Sequence, residues 1–156
     1  MKTKLAALFL SECALLSLGF VACKDSSTEG LAYFPLPDGT YAVAQGSTQY
    51  LEEIIIPEKH KGKKVTAIAE NAFKDAKLQS ITIPDGITSI DKYAFSNCDN
   101  LTSVYYKGTT SEWTNITIES PNPYLTTGTR YYYSEAQPSE TGNYWHYVDG
   151  IPTVWD

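Results

Sequence analysis

The sequence is poor in the residue types that build metal centres and catalytic sites. It contains three cysteines and two histidines among 156 residues, and His60 and His146 lie far apart along the chain. No second histidine, cysteine or pair of carboxylates stands at ligand spacing from His60. The short patterns G-x-x-x-x-G-K-[ST], G-x-S-x-G and H-E-x-x-H are also missing. We therefore predict a protein that is not an enzyme, with no catalytic residue, no metal and no cofactor.

Basic residues are scarce as well. Lysine and arginine number 12 against 18 aspartate and glutamate residues, which gives a net charge of −6. Because nucleic-acid binding needs a basic surface, this balance excludes nucleic acid as a partner. The one basic cluster is EKHKGKK at residues 58–64. It is either a site for an anionic polymer, a lipid headgroup or a sulfated glycan, or a solvated hairpin tip with Gly62 in the turn. The second interpretation is favoured.

The longest apolar region lies at the N-terminus, over residues 5–21, and Glu12 interrupts it. It is too short and too broken for a membrane-spanning helix, which needs about 20 apolar residues. Basic residues precede the region, and it ends in Phe-Val-Ala-Cys23 before a polar stretch, an arrangement that resembles a bacterial lipoprotein signal. We expect removal of residues 1–22, a lipid on Cys23 and a polar tether over residues 23–30. The protein would then be exported and anchored to a membrane of the cell envelope or surface, with plain secretion as the alternative.

A repeat of about 22 residues organises the rest of the chain. Its first half reads LEEIIIP at residues 51–57 and LQSITIP at 78–84, and a third copy, LTSVYY, starts at Leu101. Its second half reads VTAIAENAF at 65–73 and ITSIDKYAF at 87–95. Apolar residues alternate with polar ones in the first half, as in a strand with one buried face. A single unit cannot cover its own apolar face, so stacked units must share one core.

The pattern L-x-x-I-x-I-P followed by I-T-S-I-x-x-x-A-F resembles the BspA-like leucine-rich-repeat proteins of bacterial surfaces, over about residues 31 to 156. The resemblance implies a right-handed solenoid with a parallel strand stack, no catalytic residues, and adhesion or host-protein binding as in many members. The predicted fold is mainly β with short helical turns. It is a short right-handed leucine-rich-repeat solenoid with an N-terminal hairpin cap and a C-terminal aromatic β-hairpin cap.

Composition and turn signals place the boundaries. Residues 31–50 contain two extended runs around Pro-Asp-Gly and are predicted to form the N-terminal capping hairpin. Residues 119–156 are rich in tyrosine and tryptophan and form the predicted C-terminal cap, beginning with a loop over residues 119–130. Between them lie the repeats, residues 51–118, divided at about 51–77, 78–100 and 101–118.

Two further local signals fall within the third repeat and the C-terminal cap. Thr109 and Glu112 have the spacing of a capping box, which predicts a short helix that carries Trp113 over the end of the core. Asp149-Gly150 between two apolar runs predicts a hairpin with a two-residue turn, and Pro152 places its second strand at a sheet edge.

Two surfaces are candidates for partner binding, and the partner is expected to be a protein or a glycan. Polar or half-polar residues that alternate with the buried ones form the solvent side of the repeat strands, which suits protein binding or adhesion. These residues are Glu53, Ser80, Thr82, Ser103 and Tyr105. The alternative is carbohydrate or cell-wall binding through the aromatic tail, by Tyr144, Trp145, Tyr147 and Trp155.

Alternation along the C-terminal hairpin places Trp145 and Tyr147 on one face, with Tyr144 and His146 on the other. One face must pack on the end of the solenoid, so a structural cap is favoured over a ligand surface. A third interpretation is an envelope lipoprotein with a purely structural role and no specific ligand.

Overall fold

The two halves of the repeat build two different sheets, each with six strands. The computed structural model describes residues 27–155, so the predicted signal at 1–22 and Cys23 lie outside the described residues. The strands are β1 Ala32–Pro35, β2 Tyr41–Ala44, β3 Glu53–Ile55, β4 Lys59–His60, β5 Lys63–Ile68, β6 Ser80–Ile83, β7 Ser89–Ile90, β8 Ser103–Tyr106, β9 Thr117–Ile118, β10 Thr129–Tyr133, β11 Tyr144–Val148 and β12 Ile151–Val154, and the helices are α1 Thr110–Thr114 and α2 Pro123–Thr127.

Each turn of the solenoid, called a coil below, contributes one strand to each sheet. The first-half strands β3, β6 and β8 pair in parallel, with Ile54, Ile81 and Val104 in register. The second-half strands β5, β7 and β9 also pair in parallel, in the other sheet. Equivalent positions of successive repeats therefore lie directly above one another. This architecture confirms the predicted short leucine-rich-repeat solenoid.

The core is a column of apolar side chains enclosed between the two sheets. Ile81, Ile83 and Ile90 are fully buried in it. Phe73 and Phe95, which occupy the same repeat position, stack with ring centroids 5.4 Å apart. Each buried side chain of this size contributes on the order of 1.5–3 kcal/mol relative to an exposed one. Because the contacts run mainly between coils, the solenoid depends on stacking for its stability.

The turns after the second-half strands also repeat in conformation. Asn71 and Tyr93 occupy the same repeat position and have φ angles of 55° and 59°, and Asp75 and Asn97 four residues later have 61° and 56°. The amide Nδ2 of Asn97 donates to Oδ1 of Asp75 across the coils, at 2.7 Å. Asparagine and aspartate tolerate this left-handed conformation, whereas most side chains clash there. The Asn and Asp side chains of these turns therefore have a conformational role.

The strand ladder continues beyond residue 118, where the repeat pattern ends. Strand β10 pairs in parallel with β8, from Thr129 opposite Ser103 to Tyr132 opposite Tyr106. The loop predicted for residues 119–130 instead contains α2 and the start of β10. Leu125 of α2 is fully buried in the core.

Asn122 closes this extra coil with side-chain hydrogen bonds. Its Oδ1 accepts from the backbone N–H of Phe95 at 2.9 Å, and its Nδ2 donates to the carbonyl oxygens of Asp91 and Glu119. A buried polar residue thus stands where the earlier repeats have the apolar pair Ala-Phe, so the hydrophobic pattern did not indicate a further coil.

Both ends of the stack have hairpins, as the sequence indicated. Strands β1 and β2 form an antiparallel hairpin, and β2 pairs in parallel with β5. Strands β11 and β12 are joined through Asp149 and Gly150, whose φ angles are both positive, and β11 adds in parallel to β10. Positive φ at both turn positions is typical of a type I′ hairpin. Among the described residues 27–155, no helix has the length and apolar character to cross a membrane.

Replacing Asn71 tests the turn conformation. Asn71 is exposed and its φ is 55°, so Asn71→Ala should lower the free energy of unfolding by about 1 kcal/mol, because alanine lacks the short polar side chain that lets asparagine adopt this left-handed conformation. Asn71→Gly should be nearly neutral, because glycine has no Cβ. Urea denaturation of both variants, with the exposed neighbour change Glu70→Ala as control, measures the difference. Equal stability of the alanine and glycine variants would contradict the assigned turn.

Candidate binding surface

The five residues predicted for the repeat surface lie together on one side of the β3–β6–β8 sheet. Glu53, Ser80 and Ser103 are in register across the three strands. Two residues further along, Thr82 is in register with Tyr105. They alternate with the buried residues of the same strands and therefore point away from the core. This set is called the strand face below, and it comprises Glu53, Ser80, Thr82, Ser103 and Tyr105.

The strand face is largely covered. Thr82 is only 1% exposed, although it points away from the core. The cover is the C-terminal hairpin, and Pro152, on the same face of the hairpin as Tyr147, borders with β3, β6 and β8 a small cavity of about 60 Å³. Glu53 stays exposed at the margin, and the other strand-face residues are half-buried. The hairpin therefore crosses from the last coil back over the first.

Trp145 is the centre of the contact between the hairpin and the strand face. Its side chain is 0% exposed, and its ring lies 5.5 Å from that of Tyr105, 5.2 Å from Tyr133 and 4.8 Å from Tyr147. The indole Nε1–H donates to the carbonyl oxygen of Tyr106 at 2.8 Å. Edge-to-face rings with a satisfied indole are a stable buried arrangement. The structure thus assigns Trp145 to packing and removes it as an accessible ring.

The cluster around Trp145 includes further aromatic rings. Tyr131 stacks on Tyr105 with ring centroids 5.3 Å apart. Burial raises the pKa of the Tyr105 phenol. This is a second apolar cluster, separate from the main core and on the opposite side of the sheet. It brings the two predicted surfaces, repeat strands and aromatic tail, into a single contact.

Lys107, just after β8, lies beside the C-terminal hairpin. It forms an ion pair with Glu58, which belongs to the basic cluster at residues 58–64, called the basic insertion below. The Nζ atom of Lys107 lies 5.8 Å from the Tyr147 ring centroid. Burial lowers the pKa of Lys107, but the hydrogen bond and charge of Glu58 outweigh it, so the pKa is raised. Lys107 therefore links the first coil, the third coil and the hairpin.

The opposite face of the hairpin is directed outward. His146 and Trp155 stack there with centroids 3.7 Å apart and an interplanar angle of 13°. Val148 is 44% exposed and Ile151 61% exposed. The indole Nε1–H of Trp155 donates to the carbonyl oxygen of Ser134 at 2.9 Å, which orients the ring. This set is called the outer hairpin face below, and it comprises Tyr144, His146, Val148, Ile151 and Trp155.

The metal-ligand and thiol chemistry of the described residues 27–155 is limited. Within residues 27–155 there is no group of three or more His, Cys, Asp or Glu residues that could hold a metal ion. The thiol of Cys98 is fully buried and donates to the carbonyl oxygen of Phe73 at 3.0 Å. Burial raises its pKa to about 11, so the thiolate that would react is scarce at neutral pH. Cys98 is a packing residue.

Comparison with known proteins supports the repeat architecture. The model of the BspA type leucine rich repeat region (6 copies) matches residues 39–122, which is more than half of the chain. No curated protein matches the chain in sequence.

One solved structure of a bacterial leucine-rich-repeat protein resembles the chain in fold, and a second is compared with it by identity and coverage. A leucine rich cell surface protein from Faecalibacterium prausnitzii A2-165 shares 22% identity at a TM-score of 0.51, with 67% of this chain and 29% of that chain covered. A leucine-rich repeat protein from Bacteroides capillosus ATCC 29799 shares 20% identity at a TM-score of 0.49, covering 69% of this chain and 98% of that one. The chain therefore spans less than a third of the Faecalibacterium protein.

Substitution of Trp145 tests its structural role. Trp145→Ala should lower the free energy of unfolding by about 3–5 kcal/mol, because it empties a buried aromatic site. Trp145→Phe keeps most of the packing but loses the hydrogen bond to Tyr106, which should cost about 1–3 kcal/mol. Denaturant unfolding followed by circular dichroism measures both, with Trp155→Phe on the outer hairpin face as the matched control. A stability of Trp145→Ala close to that of the unmodified chain would show that the hairpin does not pack as described.

Proposed function

The chain belongs to the family of BspA-type leucine-rich-repeat proteins, and we propose that it is an exported, non-enzymatic surface protein that binds another protein. Its solenoid is the scaffold, and the outer hairpin face is the binding surface. The observation that carries this proposal is the exposure of Val148 and Ile151 beside the His146–Trp155 stack. Exposed apolar side chains that adjoin oriented aromatic rings are typical of protein interfaces.

The rigidity of the hairpin supports this choice of surface. The two-residue turn and the buried Trp145 hold the hairpin in one position against the solenoid. A surface that is ordered before binding loses little conformational entropy when the partner docks. The outer hairpin face therefore offers fixed positions for side-chain contacts.

Recognition should involve side chains rather than an added strand. The backbone N–H of Trp155 donates to the carbonyl oxygen of Tyr144, so alternation directs the backbone of Pro152 and Val154 to the free edge of β12. Pro152 has no N–H, which leaves Val154 as the one donor of that edge within β12. An edge with so few donors is a poor template for strand addition.

Protein binding is favoured over glycan binding by the burial of Trp145. Sugar stacking needs an open aromatic face, and Trp145, one of the two indole rings predicted for that purpose, is fully buried. Of the remaining rings, Trp155 already has one face against His146. The strand face is likewise covered by the chain's own hairpin. Its one exposed residue is Glu53, which lies at the margin of that face.

Export and anchoring form the second part of the proposal. The N-terminal residues 1–22 and Cys23 have the arrangement of a lipoprotein signal. A lipid at Cys23 would hold the chain on a membrane without a spanning helix.

Introducing negative charge on the outer hairpin face tests the proposed binding. The chain from residue 24 is immobilised, envelope and host-matrix extracts are applied, and a retained protein is identified, purified and titrated. The double variant Val148→Glu, Ile151→Glu should weaken its binding by about 2 kcal/mol or more, roughly 30-fold in Kd, because both contacts are lost and two carboxylates are desolvated.

The matched control is Thr110→Glu, Ser111→Glu, at exposed positions in the first turn of α1, where added carboxylates are tolerated. It adds the same charge and should bind as the unmodified chain does. Equal affinity of both double variants, or no retained protein at all, would exclude the outer hairpin face as the binding surface. Circular dichroism of each variant separates lost binding from lost folding.

A further inference from the structure

The basic insertion is attached to the N-terminal end of the solenoid. Strands β4 and β5 pair antiparallel within it, with Lys61 and Gly62 at positive φ in the turn. The His60 ring stacks on the Tyr33 ring at 3.8 Å and 11°, and it meets the Tyr41 ring edge-on at 5.1 Å. Tyr33 lies on β1, the edge strand at this end. The insertion is therefore a fixed part of the end surface.

The stack on Tyr33 concentrates positive charge at this end. Lys59, Lys61, Lys63 and Lys64 are all exposed. Glu58, the acid within the insertion, pairs with Lys107, and this is the one ion pair between side chains in the described part of the chain. Four lysines thus point into solvent from a six-residue hairpin.

Of the acids at this end, Glu29 is exposed next to Thr28, and the others have hydrogen-bond partners or lie away from the insertion. The carboxylate of Asp38 accepts hydrogen bonds from the backbone N–H and the hydroxyl of Thr40, at 2.9 and 2.7 Å. Glu52 and Glu53 stand at the opposite end of β3 from the insertion. The local charge of the insertion is therefore positive although the whole chain carries −6.

The polypeptide enters the solenoid at the same end. The backbone N–H of Thr28 donates to the carbonyl oxygen of Ile55 at 2.9 Å, and the Ile55 N–H donates to the Thr28 hydroxyl at 2.8 Å. Ile55 belongs to β3, the edge strand of its sheet. Cys23 precedes Thr28 by five residues, a span of at most about 18 Å. A lipid on Cys23 would place this end of the solenoid close to the membrane surface.

Apolar and aromatic side chains are exposed around the entry point. Tyr50 is 81% exposed, and Leu51 beside it is also exposed, directly before β3. Phe34 is exposed on β1. Aromatic and apolar side chains next to lysines are the composition of a surface that lies in a membrane interface.

We propose that the N-terminal end of the solenoid, with the four lysines of the basic insertion, docks on the anionic lipid headgroups of the membrane that carries the anchor. The proposal rests on the export and lipid attachment proposed above. A basic patch adds to the membrane affinity that a lipid supplies, and each lysine near an anionic surface increases it. Docking would fix the orientation of the solenoid relative to the membrane, which a flexible tether alone does not.

Vesicle binding tests the docking without the lipid. The chain from residue 24 contains the complete described core, from Leu31 to Trp145, and lacks the lipidated cysteine. It should sediment with vesicles of phosphatidylcholine and phosphatidylglycerol at low salt, and not with phosphatidylcholine alone. High salt should release it, because the attraction is electrostatic.

A pair of matched triple variants locates the contact. Lys59→Gln, Lys61→Gln, Lys63→Gln should weaken vesicle binding on the order of a hundredfold. Lys74→Gln, Lys77→Gln, Lys92→Gln removes the same charge from exposed positions in the segments that follow β5 and β7 and should have a much smaller effect. Equal losses in the two triples, or no preference for phosphatidylglycerol, would overturn the proposal. Binding to immobilised teichoic acid without binding to vesicles would overturn it too and assign the insertion to an anionic polymer.

Lipid labelling keeps this proposal separate from the proposed anchoring. Radiolabelled fatty acid should enter the full chain in a bacterial host and not its Cys23→Ala variant. Absence of label would remove the anchor, whereas the vesicle result for the chain from residue 24 does not depend on Cys23. Failure of either experiment therefore identifies which proposal is wrong.

Discussion

Each coil of this solenoid has apolar side chains that only a neighbouring coil can cover, and the stack is so short that its two ends decide the structure. In the middle of the stack, neighbouring coils cover each other directly, with Ile81 beside Val104 and Phe73 stacked on Phe95. At one end the β1–β2 hairpin supplies the cover. At the other, Leu125 and Trp113 close the column, and the Arg130 guanidinium lies 4.2 Å from the Trp113 ring centroid. Cationic stacking of this kind suits an arginine at the margin of a core.

The C-terminal hairpin adds a second layer, and this determines which surfaces a partner can reach. The stacked strands of repeat proteins form surfaces on which partners bind. Here the chain's own Trp145 and Tyr147 pack against that surface, with Thr82 buried beneath the hairpin. Two of the surfaces described above stay accessible for contacts outside the chain. They are the outer hairpin face and the basic insertion, at the end of the solenoid where Thr28 pairs with β3.

Local signals in the sequence were sufficient for most of the fold. The repeat register predicted the parallel stacks, and Asp149-Gly150 predicted the two-residue hairpin turn that the structure contains. The capping box is present as well, because the Thr109 hydroxyl accepts from the Glu112 N–H and the Glu112 carboxylate accepts from the Thr109 N–H. All of these depend on residues a few positions apart or on an exact copy in the next repeat. Hydrophobic spacing and turn chemistry report such features directly.

The covered strand face could not be predicted in the same way. It depends on the approach of Pro152 to β3, about a hundred residues earlier in the chain, across a small cavity, and no periodic pattern reports that approach. Alternation correctly paired Trp145 with Tyr147 on one face, but it did not say that this face would lie over the repeat strands. The coil closed by Asn122 was missed for a related reason, since polar hydrogen bonds replace the apolar repeat there.

The most direct test is hydrogen exchange at the indole N–H groups, followed by nuclear magnetic resonance. The Trp145 indole N–H should exchange only on global unfolding, with a free energy equal to that of the slowest core amides, such as that of Ile81. The half-exposed Trp155 should exchange faster. Fast exchange at Trp145 while the Ile81 amide stays protected would mean that the hairpin opens freely from the solenoid, and it would contradict the covered strand face.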